Sequence, residues 1–162
     1  EIMPSLVGSE MCIRDRVTSS EKLGVEDRGG YYETSGALKD MVQNHMLQMV
    51  ALLAMEPPIS LKSEDIRSEK VKVLKSLRKL EPSEVNQNFV RGQYDQGKID
   101  DQDVIAYRKE DRVDEQSNKP TFVSGKLTID NFRWAGVPFY IRTGKRMKDK
   151  SCLLYTSPSP RD

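Results

Sequence analysis

Hydrophobic positions between residues 36 and 56 recur with the period of a single helix. At about 100° per residue, the apolar side chains and one histidine fall within one arc, which comprises Leu38, Met41, Val42, His45, Met49, Leu52 and Leu53. Thr34 or Ser35 can cap the start, and two prolines at 57 and 58 stop the helix. The pattern predicts a helix over 36–56 with a polar side in its first half and a buried second half.

A second helix is predicted over 64–79. Ser63 is suited to cap it, and Glu64 and Asp65 complement the positive N-terminal end of the helix dipole. One apolar stripe runs along it, formed by Ile66, Val73, Leu74 and Leu77. The helix also carries many lysines and arginines, which a solvated outer face explains better than a dedicated basic patch.

The second half of the chain alternates between apolar and polar residues, as half-buried strands do. Strands are predicted at 88–94, 121–130 and 137–143, whereas the charged stretch 95–119 is predicted to be an exposed excursion. Helices followed by antiparallel-looking strands indicate an α+β fold in which helices pack on a partial antiparallel sheet.

Composition and charge narrow the choice of partners. The 162 residues include 26 basic and 25 acidic side chains, a formal net charge of +1, so no overall field attracts nucleic acid or an acidic membrane. The longest apolar run, 46–55, is about half of the roughly 20 residues that span a bilayer. The N-terminal residues do not have the pattern of a secretory signal. We therefore expect a cytoplasmic protein with no nucleic-acid partner and no membrane partner.

Both cysteines lie in terminal segments of unusual origin. One DNA string can encode residues 6–16, and its reverse complement, in a shifted frame, can encode residues 152–161. Ends encoded by opposite strands of one string are typical of a sequencing-library adapter. We expect 1–16 and 151–162 to be sequencing or cloning scars around a native part at 17–150. That part has no cysteine, as is usual in a reducing cytosol.

His45 is the only histidine of the chain, and histidine is the side chain best suited to move protons near neutral pH. Its position on the apolar arc alone favours a core residue over a catalytic base. Asp40 precedes it by five residues, roughly 140° around an α-helix, so the two would meet only on a ligand along the flank. A metal site is not expected without a second histidine, and no glycine-rich nucleotide-binding pattern is present.

A group of cations lies at the end of the last predicted strand, on both sides of the turn at Gly144. It comprises Arg142, Lys145, Arg146, Lys148 and Lys150. A strand end with a glycine turn and several positive side chains suits an anionic group such as a phosphate. Basic strand ends are also common on ordinary protein surfaces, and both interpretations stay open on this pattern alone.

Three longer segments together resemble one enzyme family. They read RGGYYETSGALKDMVQNHMLQ at 28–48, AMEP at 54–57 and WAGVPFYIRTGK at 134–145. In this order and with this spacing they closely resemble the glucose-6-phosphate dehydrogenases, bacterial members in particular, and the resemblance extends over 17–150. It implies an internal fragment of the family's C-terminal domain, without the Rossmann domain that precedes it in the family.

The resemblance implies a reaction and a set of site residues. The family opens the oxidative pentose phosphate route by oxidising C1 of glucose 6-phosphate to the lactone, with hydride transfer to NADP, or to NAD in some members. His45 matches the general base that takes the C1 hydroxyl proton as hydride leaves, which is suitable chemistry for an imidazole. Glu21 and Asp40 match carboxylates that bind the sugar, and Lys145 and Lys150 match cations that bind substrate.

Parts of the family pattern are missing from this sequence. The dinucleotide-binding domain is one, and the segment that supplies phosphate ligands and the aspartate that orients the base is another. NADP is therefore expected to bind mainly outside this chain, and the chain alone is expected to be inactive. The intact parent is expected to be a homodimer or tetramer formed through a large sheet that is only partly present here.

Two other classes of protein stay open. One is a non-catalytic sugar-phosphate-binding or oligomerisation module derived from the same domain. The other is a nucleic-acid binder that uses the basic helix, which the balanced charge disfavours.

Overall fold

Residues 14–157, the part of the chain that the computed structural model describes, form one strand, then a run of helices, then six further strands. In chain order the elements are β1 (Arg14–Ser20), α1 (Gly29–Ala37), a π-helical segment (Leu38–Met46), α2 (Leu47–Ala54), α3 (Ser63–Lys75), α4 (Val85–Asn88), β2 (Phe89–Gly92), β3 (Gly97–Ile99), β4 (Gln102–Val104), β5 (Phe122–Thr128), β6 (Pro138–Gly144) and β7 (Ser151–Ser157). Short 3-10 turns lie at Glu26–Arg28 and Tyr107–Lys109.

Five of these strands form one sheet in the order β2-β5-β6-β1-β7. β5 and β6 are antiparallel neighbours, with Phe122 opposite Gly144. β1 and β6 run parallel, with Val17 opposite Ile141. The predicted α+β fold is confirmed, but the sheet is mixed rather than antiparallel. Parallel pairing requires a long connection, and the helices between β1 and β6 supply it.

The core lies between one face of the sheet and the helices. In β6, Phe139 and Ile141 are buried while Tyr140 is exposed, which is the alternation expected of a half-buried strand. The helices contribute a second set of buried side chains, Val42, Met46, Val50, Ala51 and Ala54. The indole of Trp134 donates to the carbonyl oxygen of Ala54 at 2.9 Å, so the end of α2 is joined to the turn that precedes β6.

The predicted helix over 36–56 is divided near its start. Gly36 has φ +61° and ψ 174°, a conformation that strains any residue with a side chain, and it places a kink inside α1, two residues before the π-helical segment begins at Leu38. Thr34 and Ser35 lie within α1, where their hydroxyl groups donate to the carbonyl oxygen of Tyr31. The prediction that one of them caps the helix is therefore wrong, because α1 already occupies that stretch.

The segment Leu38–Met46 is a π-helix, in which hydrogen bonds join residues five apart. The amide of Leu47 accordingly donates to the carbonyl oxygen of Val42. The wider turns shift the phase of the helix, so Met46 is fully buried whereas His45 is exposed. The prediction that His45 lies on the buried arc is wrong, because it assumed the α-helical 100° per residue throughout.

α3 packs against α2 and buries Val73. The residue in the N-cap position is Lys62, and no side chain caps the helix. The predicted cap at Ser63 is therefore wrong, because this serine is already the first helical residue. Lys72 and Lys75 are exposed in the last turn, in agreement with a solvated basic face.

The charged excursion 95–119 is structured in part. β3 and β4 form a two-stranded hairpin with Gly97 opposite Val104. Tyr107 is fully buried, and its hydroxyl donates to Glu33 at 2.6 Å. The prediction of an exposed loop is wrong for this residue, because the tyrosine anchors the excursion on α1.

Both predicted scar segments contribute residues to the sheet. Residues 14–16 begin β1, and β7 pairs antiparallel with β1 at the sheet edge. More than half of the surface of three β7 side chains is exposed, those of Leu153, Leu154 and Tyr155. Residues 1–13, with Cys12, and 158–162 lie outside the described residues, and the foreign origin of the two ends stays a prediction.

Candidate functional site

Two residues meet at the edge of the sheet where β1 and β6 end. Ser20 pairs with Gly144 in the parallel register, so the residues that follow, Glu21 and Lys145, emerge side by side. The amide of Glu21 donates to the carbonyl oxygen of Gly144 at 2.9 Å. The sheet therefore brings together two residues that the family resemblance assigns to substrate binding.

The side chains of Glu21 and Lys145 form an ion pair. Lys145 Nζ lies 2.5 Å from Glu21 Oε2, with the lysine side chain 12% exposed and the glutamate side chain 36% exposed. The same ammonium group lies 5.5 Å from the centroid of the Tyr32 ring, within the range of cation–π attraction. Water screens this pair less than it screens an ordinary surface pair. Lys145 is therefore held in one position at the sheet edge.

A cleft of about 400 Å³ opens beside this ion pair. Its walls are the loop at 21–28, the side chain of Tyr32, and the side chains of Lys145 and Lys150. The volume suits a small molecule, and the walls offer charges of both signs. Three of the five predicted site residues, Glu21, Lys145 and Lys150, thus line one cleft.

Tyr32 is a wall residue that sequence reasoning missed. It is 2% exposed, and its hydroxyl has no hydrogen-bond partner within residues 14–157. Burial, and after it the negative charge of Asp40, raises the pKa of this tyrosine above its ordinary value. The hydroxyl therefore keeps its proton. Its neighbour Tyr31 is exposed, and no local pattern in the sequence tells the two tyrosines apart.

Asp40 and His45 lie on the π-helical segment and not among the residues that line the cleft. Asp40 accepts a hydrogen bond from Tyr31 Oη at 3.3 Å, and its charge acts on Tyr32, so it lies close to the cleft wall. His45 follows Asp40 by the five-residue spacing that π-helical hydrogen bonds span, which puts both on one flank. The expected separation of roughly 140° is wrong for this reason. The structure brings Asp40 towards the cleft and leaves His45 exposed.

Arg146 is a second residue whose role sequence reasoning missed. In the sequence it is one of several cations, yet its side chain is only 17% exposed and contacts two carboxylates, Glu26 and Glu110. Gly24 lies directly against its guanidinium group. Gly24, Glu26, Glu110 and Arg146 lie in three distant segments of the chain. No local sequence pattern therefore predicts that their side chains and backbone meet.

Residues 14–157 contain neither a metal-binding cluster nor a membrane-spanning helix. No group of three His, Cys, Asp or Glu side chains in that part could hold a metal ion. No helix there is long and apolar enough to cross a membrane. The polar groups that line the cleft are carboxylates, basic side chains and a tyrosine.

The fold and the site define an α+β domain with a polar cleft at the carboxyl ends of two parallel strands. A model of the glucose-6-phosphate dehydrogenase C-terminal domain matches residues 9–155. The match covers most of the chain, and the chain belongs to this family. It overlaps both segments that are predicted to be foreign.

Curated relatives agree with this assignment. The chain is 70% identical over 139 residues to the glucose-6-phosphate 1-dehydrogenase of Bacillus subtilis strain 168, a match that covers 86% of the chain and 28% of the relative. It is 51% identical over 135 residues to the enzyme of Streptococcus pneumoniae, with 83% of the chain and 27% of the relative covered. The chain thus spans little more than a quarter of the length of these relatives.

Solved structures show the same fold. The chain matches glucose-6-phosphate 1-dehydrogenase from Mycobacterium avium with a TM-score of 0.73 and 38% identity, over 87% of the chain and 28% of the solved one. It matches a glucose-6-phosphate dehydrogenase in complex with glucose 6-phosphate with a TM-score of 0.74 and 36% identity, with the same coverage. The second protein binds the sugar phosphate that its name states.

Proposed function

We propose that the chain is part of a glucose-6-phosphate 1-dehydrogenase and that its cleft binds glucose 6-phosphate for oxidation at C1. Family membership supports the reaction. The observation that carries the substrate assignment is the convergence of Glu21, Lys145 and Lys150 on one cleft of small-molecule size. A sugar phosphate presents both hydroxyl groups and negative charge, and the cleft offers acceptors for the first and cations for the second.

The roles of the binding residues follow from their chemistry. The Lys145 ammonium group has three donors, so it can hold a substrate oxygen while it keeps its bond to Glu21. Glu21 accepts hydrogen bonds from sugar hydroxyls, and Asp40 does the same from the π-helical flank. Lys150 is exposed and supplies a second, more mobile positive charge.

His45 is the proposed general base. The reaction removes the C1 hydroxyl proton and transfers the C1 hydrogen as hydride, so a base beside the hydroxyl lowers the barrier. The π-helical phase presents His45 on the same flank as the sugar-binding Asp40. The imidazole is exposed here, and we infer that another part of the enzyme covers and orients it.

The hydride acceptor, NADP or NAD, is proposed to bind mainly outside this chain. The sequence contains no glycine-rich nucleotide-binding pattern, which supports binding of the dinucleotide elsewhere. The nicotinamide supplies the hydride acceptor, while the residues of this chain bind the sugar phosphate and take the proton.

The parent enzyme is proposed to act in the cytoplasm as a homodimer or tetramer. β2, at the end of the described sheet away from the predicted scar residues, has one edge without a neighbouring strand, and its Val90 is exposed. Such an edge pairs readily with another strand, which supports assembly through the sheet.

Steady-state kinetics of the full-length enzyme tests the proposal. We expect glucose 6-phosphate to be oxidised with reduction of NADP, glucose without its phosphate to be a much poorer substrate, and the 162-residue chain alone to show no turnover. A full-length protein that binds glucose 6-phosphate but reduces neither NADP nor NAD would support the second candidate instead. That candidate is a non-catalytic sugar-phosphate-binding or oligomerisation module, favoured by the absence of a glycine-rich nucleotide-binding pattern from the sequence.

A further inference from the structure

Arg146 lies beneath the loop that forms one wall of the cleft. We call residues 21–28 the cleft loop. One terminal nitrogen of the guanidinium group lies 3.3 Å from Glu26 Oε1 and 3.5 Å from Glu110 Oε1, and the guanidinium carbon lies 5.9 Å from the centroid of the Tyr94 ring. The Glu110 side chain is 8% exposed. An arginine between two carboxylates and over an aromatic ring is fixed from several sides.

The backbone around Arg146 is tied to the same loop. The amide of Arg146 donates to the carbonyl oxygen of Leu23 at 3.1 Å, and the amide of Met147 donates to that of Glu21 at 2.9 Å. Arg146 has φ +53° and Glu26 has φ +49°, left-handed conformations that are uncommon for residues other than glycine. Strained backbone of this kind persists where the surrounding contacts enforce it, and it is frequent at functional sites.

Gly24 allows the close approach. A Cβ atom at this position would lie 2.6 Å from Arg146 Nε, so the guanidinium group fits beneath the loop only because position 24 has no side chain. The amide of Gly24 donates to Glu26 Oε1 at 3.1 Å. The loop is thus folded around the arginine.

Tyr94 joins the loop to the far side of the cluster. Its hydroxyl accepts a hydrogen bond from the amide of Val25 at 3.2 Å and donates one to Glu110 at 2.8 Å. Two consecutive loop residues, Val25 and Glu26, are therefore bonded to one partly buried group of side chains, Tyr94, Glu110 and Arg146.

We propose that Arg146 is a positioning residue that holds the cleft loop against the end of β6, so that Glu21 and Lys145 meet in the geometry that takes up the substrate. This inference rests on the proposed function. Arg146 does not line the cleft, and it acts through its neighbours at both ends of the ion pair. Releasing the loop weakens binding of the substrate in its ground state and in the transition state alike. KM therefore rises while kcat stays unchanged.

The test compares variants of the full-length dehydrogenase that contains this chain. Arg146→Met is expected to raise the KM for glucose 6-phosphate roughly tenfold, with kcat within about twofold and the KM for NADP unchanged. Arg146→Lys is expected to recover part of the loss, because its ammonium group reaches one carboxylate. Arg78→Met is the control, since Arg78 forms a bidentate ion pair with Asp130 away from the cleft, and its kinetics are expected to equal those of wild type.

The outcomes distinguish failure of the proposed function from failure of the positioning role of Arg146. Wild-type enzyme without dehydrogenase activity overturns the proposed function, whatever Arg146 does. Active wild type with a folded Arg146→Met variant of unchanged KM overturns the positioning role. If Arg146→Met does not fold, Glu110→Gln replaces it, because Glu110 contacts the guanidinium group and does not line the cleft. A raised KM in that variant supports the inference, and an unchanged KM overturns it.

Discussion

Glu21 and Lys145 are 124 residues apart in the sequence, and their side chains meet at 2.5 Å. They meet because each follows the last residue of one of two parallel neighbouring strands, β1 and β6. Sheet edges where parallel strands end are common places for ligand sites. The ion pair is thus a direct consequence of the strand order, and it marks the wall of the cleft.

Replacing Lys145 tests its role in holding the substrate. Lys145→Met removes a charge-assisted contact worth about 1.5–3 kcal/mol, so we predict a KM for glucose 6-phosphate that is roughly tenfold to a hundredfold higher in the full-length enzyme. Lys126→Met removes an exposed lysine of β5 and is the matched control. Equal KM values for the two variants would refute the role of Lys145.

Replacing His45 tests the assignment of the base. His45→Asn keeps a polar side chain on the exposed flank but cannot accept the substrate proton, so we predict that kcat falls at least about 10²-fold. KM is expected to change little. Asn44→Ala alters the neighbouring exposed position and should leave kcat unchanged. A His45→Asn variant with wild-type kcat would contradict a role in proton transfer.

Two buried tyrosines give opposite predictions for stability. The Tyr32 hydroxyl has no hydrogen-bond partner within residues 14–157, so Tyr32→Phe is expected to raise the free energy of unfolding by about 1 kcal/mol. The Tyr107 hydroxyl donates to Glu33 at 2.6 Å, so Tyr107→Phe is expected to lower it by about 1–2 kcal/mol. Denaturant unfolding of the chain measures both changes. Equal effects of the same sign would contradict this description of the core.

The three clustered tyrosines predict instability at high pH. Burial raises the pKa values of Tyr32, Tyr94 and Tyr107 above the ordinary value; hydrogen bonds to Glu110 and Glu33 add to the shift of the latter two. Above about pH 10 the unfolded chain loses these protons while the folded chain keeps them. The stabilisation is therefore complete below pH 10 and is lost as pH rises, by about 1.4 kcal/mol per unit for each tyrosine.

Unfolding free energies measured between pH 9 and pH 12 test this dependence, since the fall should begin near the ordinary tyrosine pKa of about 10. Tyr107→Phe is the internal control, because removing one of three titrating groups should reduce the slope by about a third. A flat profile in wild type would show that the tyrosines ionise as easily in the folded chain as in the unfolded one.

The open edge at β7 predicts self-association of the chain. Leu153 and Tyr155 are largely exposed on this edge strand, and apolar edge strands pair with other chains. We expect a concentration-dependent increase in mass in sedimentation experiments, which Leu153→Lys with Tyr155→Lys abolishes without lowering Tm. A chain that stays monomeric at high concentration would contradict the prediction.

Local sequence patterns predicted the helices and strands that depend on the order of neighbouring residues. Alternation of apolar and polar residues located β5 and β6, and the prolines after α2 marked its end. The sequence did not reveal the parallel β1–β6 pairing, because pairing between distant segments leaves no local pattern. The π-helical phase was equally hidden, since the 100° wheel places His45 inside the core although the side chain is exposed.

The site was predicted from the family resemblance and not from residue patterns. Glu21 is one of many exposed-looking acids in the sequence, and only the sheet register shows why it meets Lys145. Tyr32 escaped notice, and Arg146 was singled out only as one of several cations, because their burial depends on contacts with segments far along the chain. Arg146 in particular resembles its exposed neighbours in every local respect.

Nuclear magnetic resonance titration of the 162-residue chain with glucose 6-phosphate tests the central claim most directly, that the cleft between the ends of β1 and β6 binds this sugar phosphate. We predict saturable shifts of the backbone amides of residues 21–28 and of Lys145, and their loss in Lys145→Ala while the spectrum stays that of a folded chain. Absent shifts, shifts confined to other parts of the chain, or unchanged binding by the variant would contradict the claim.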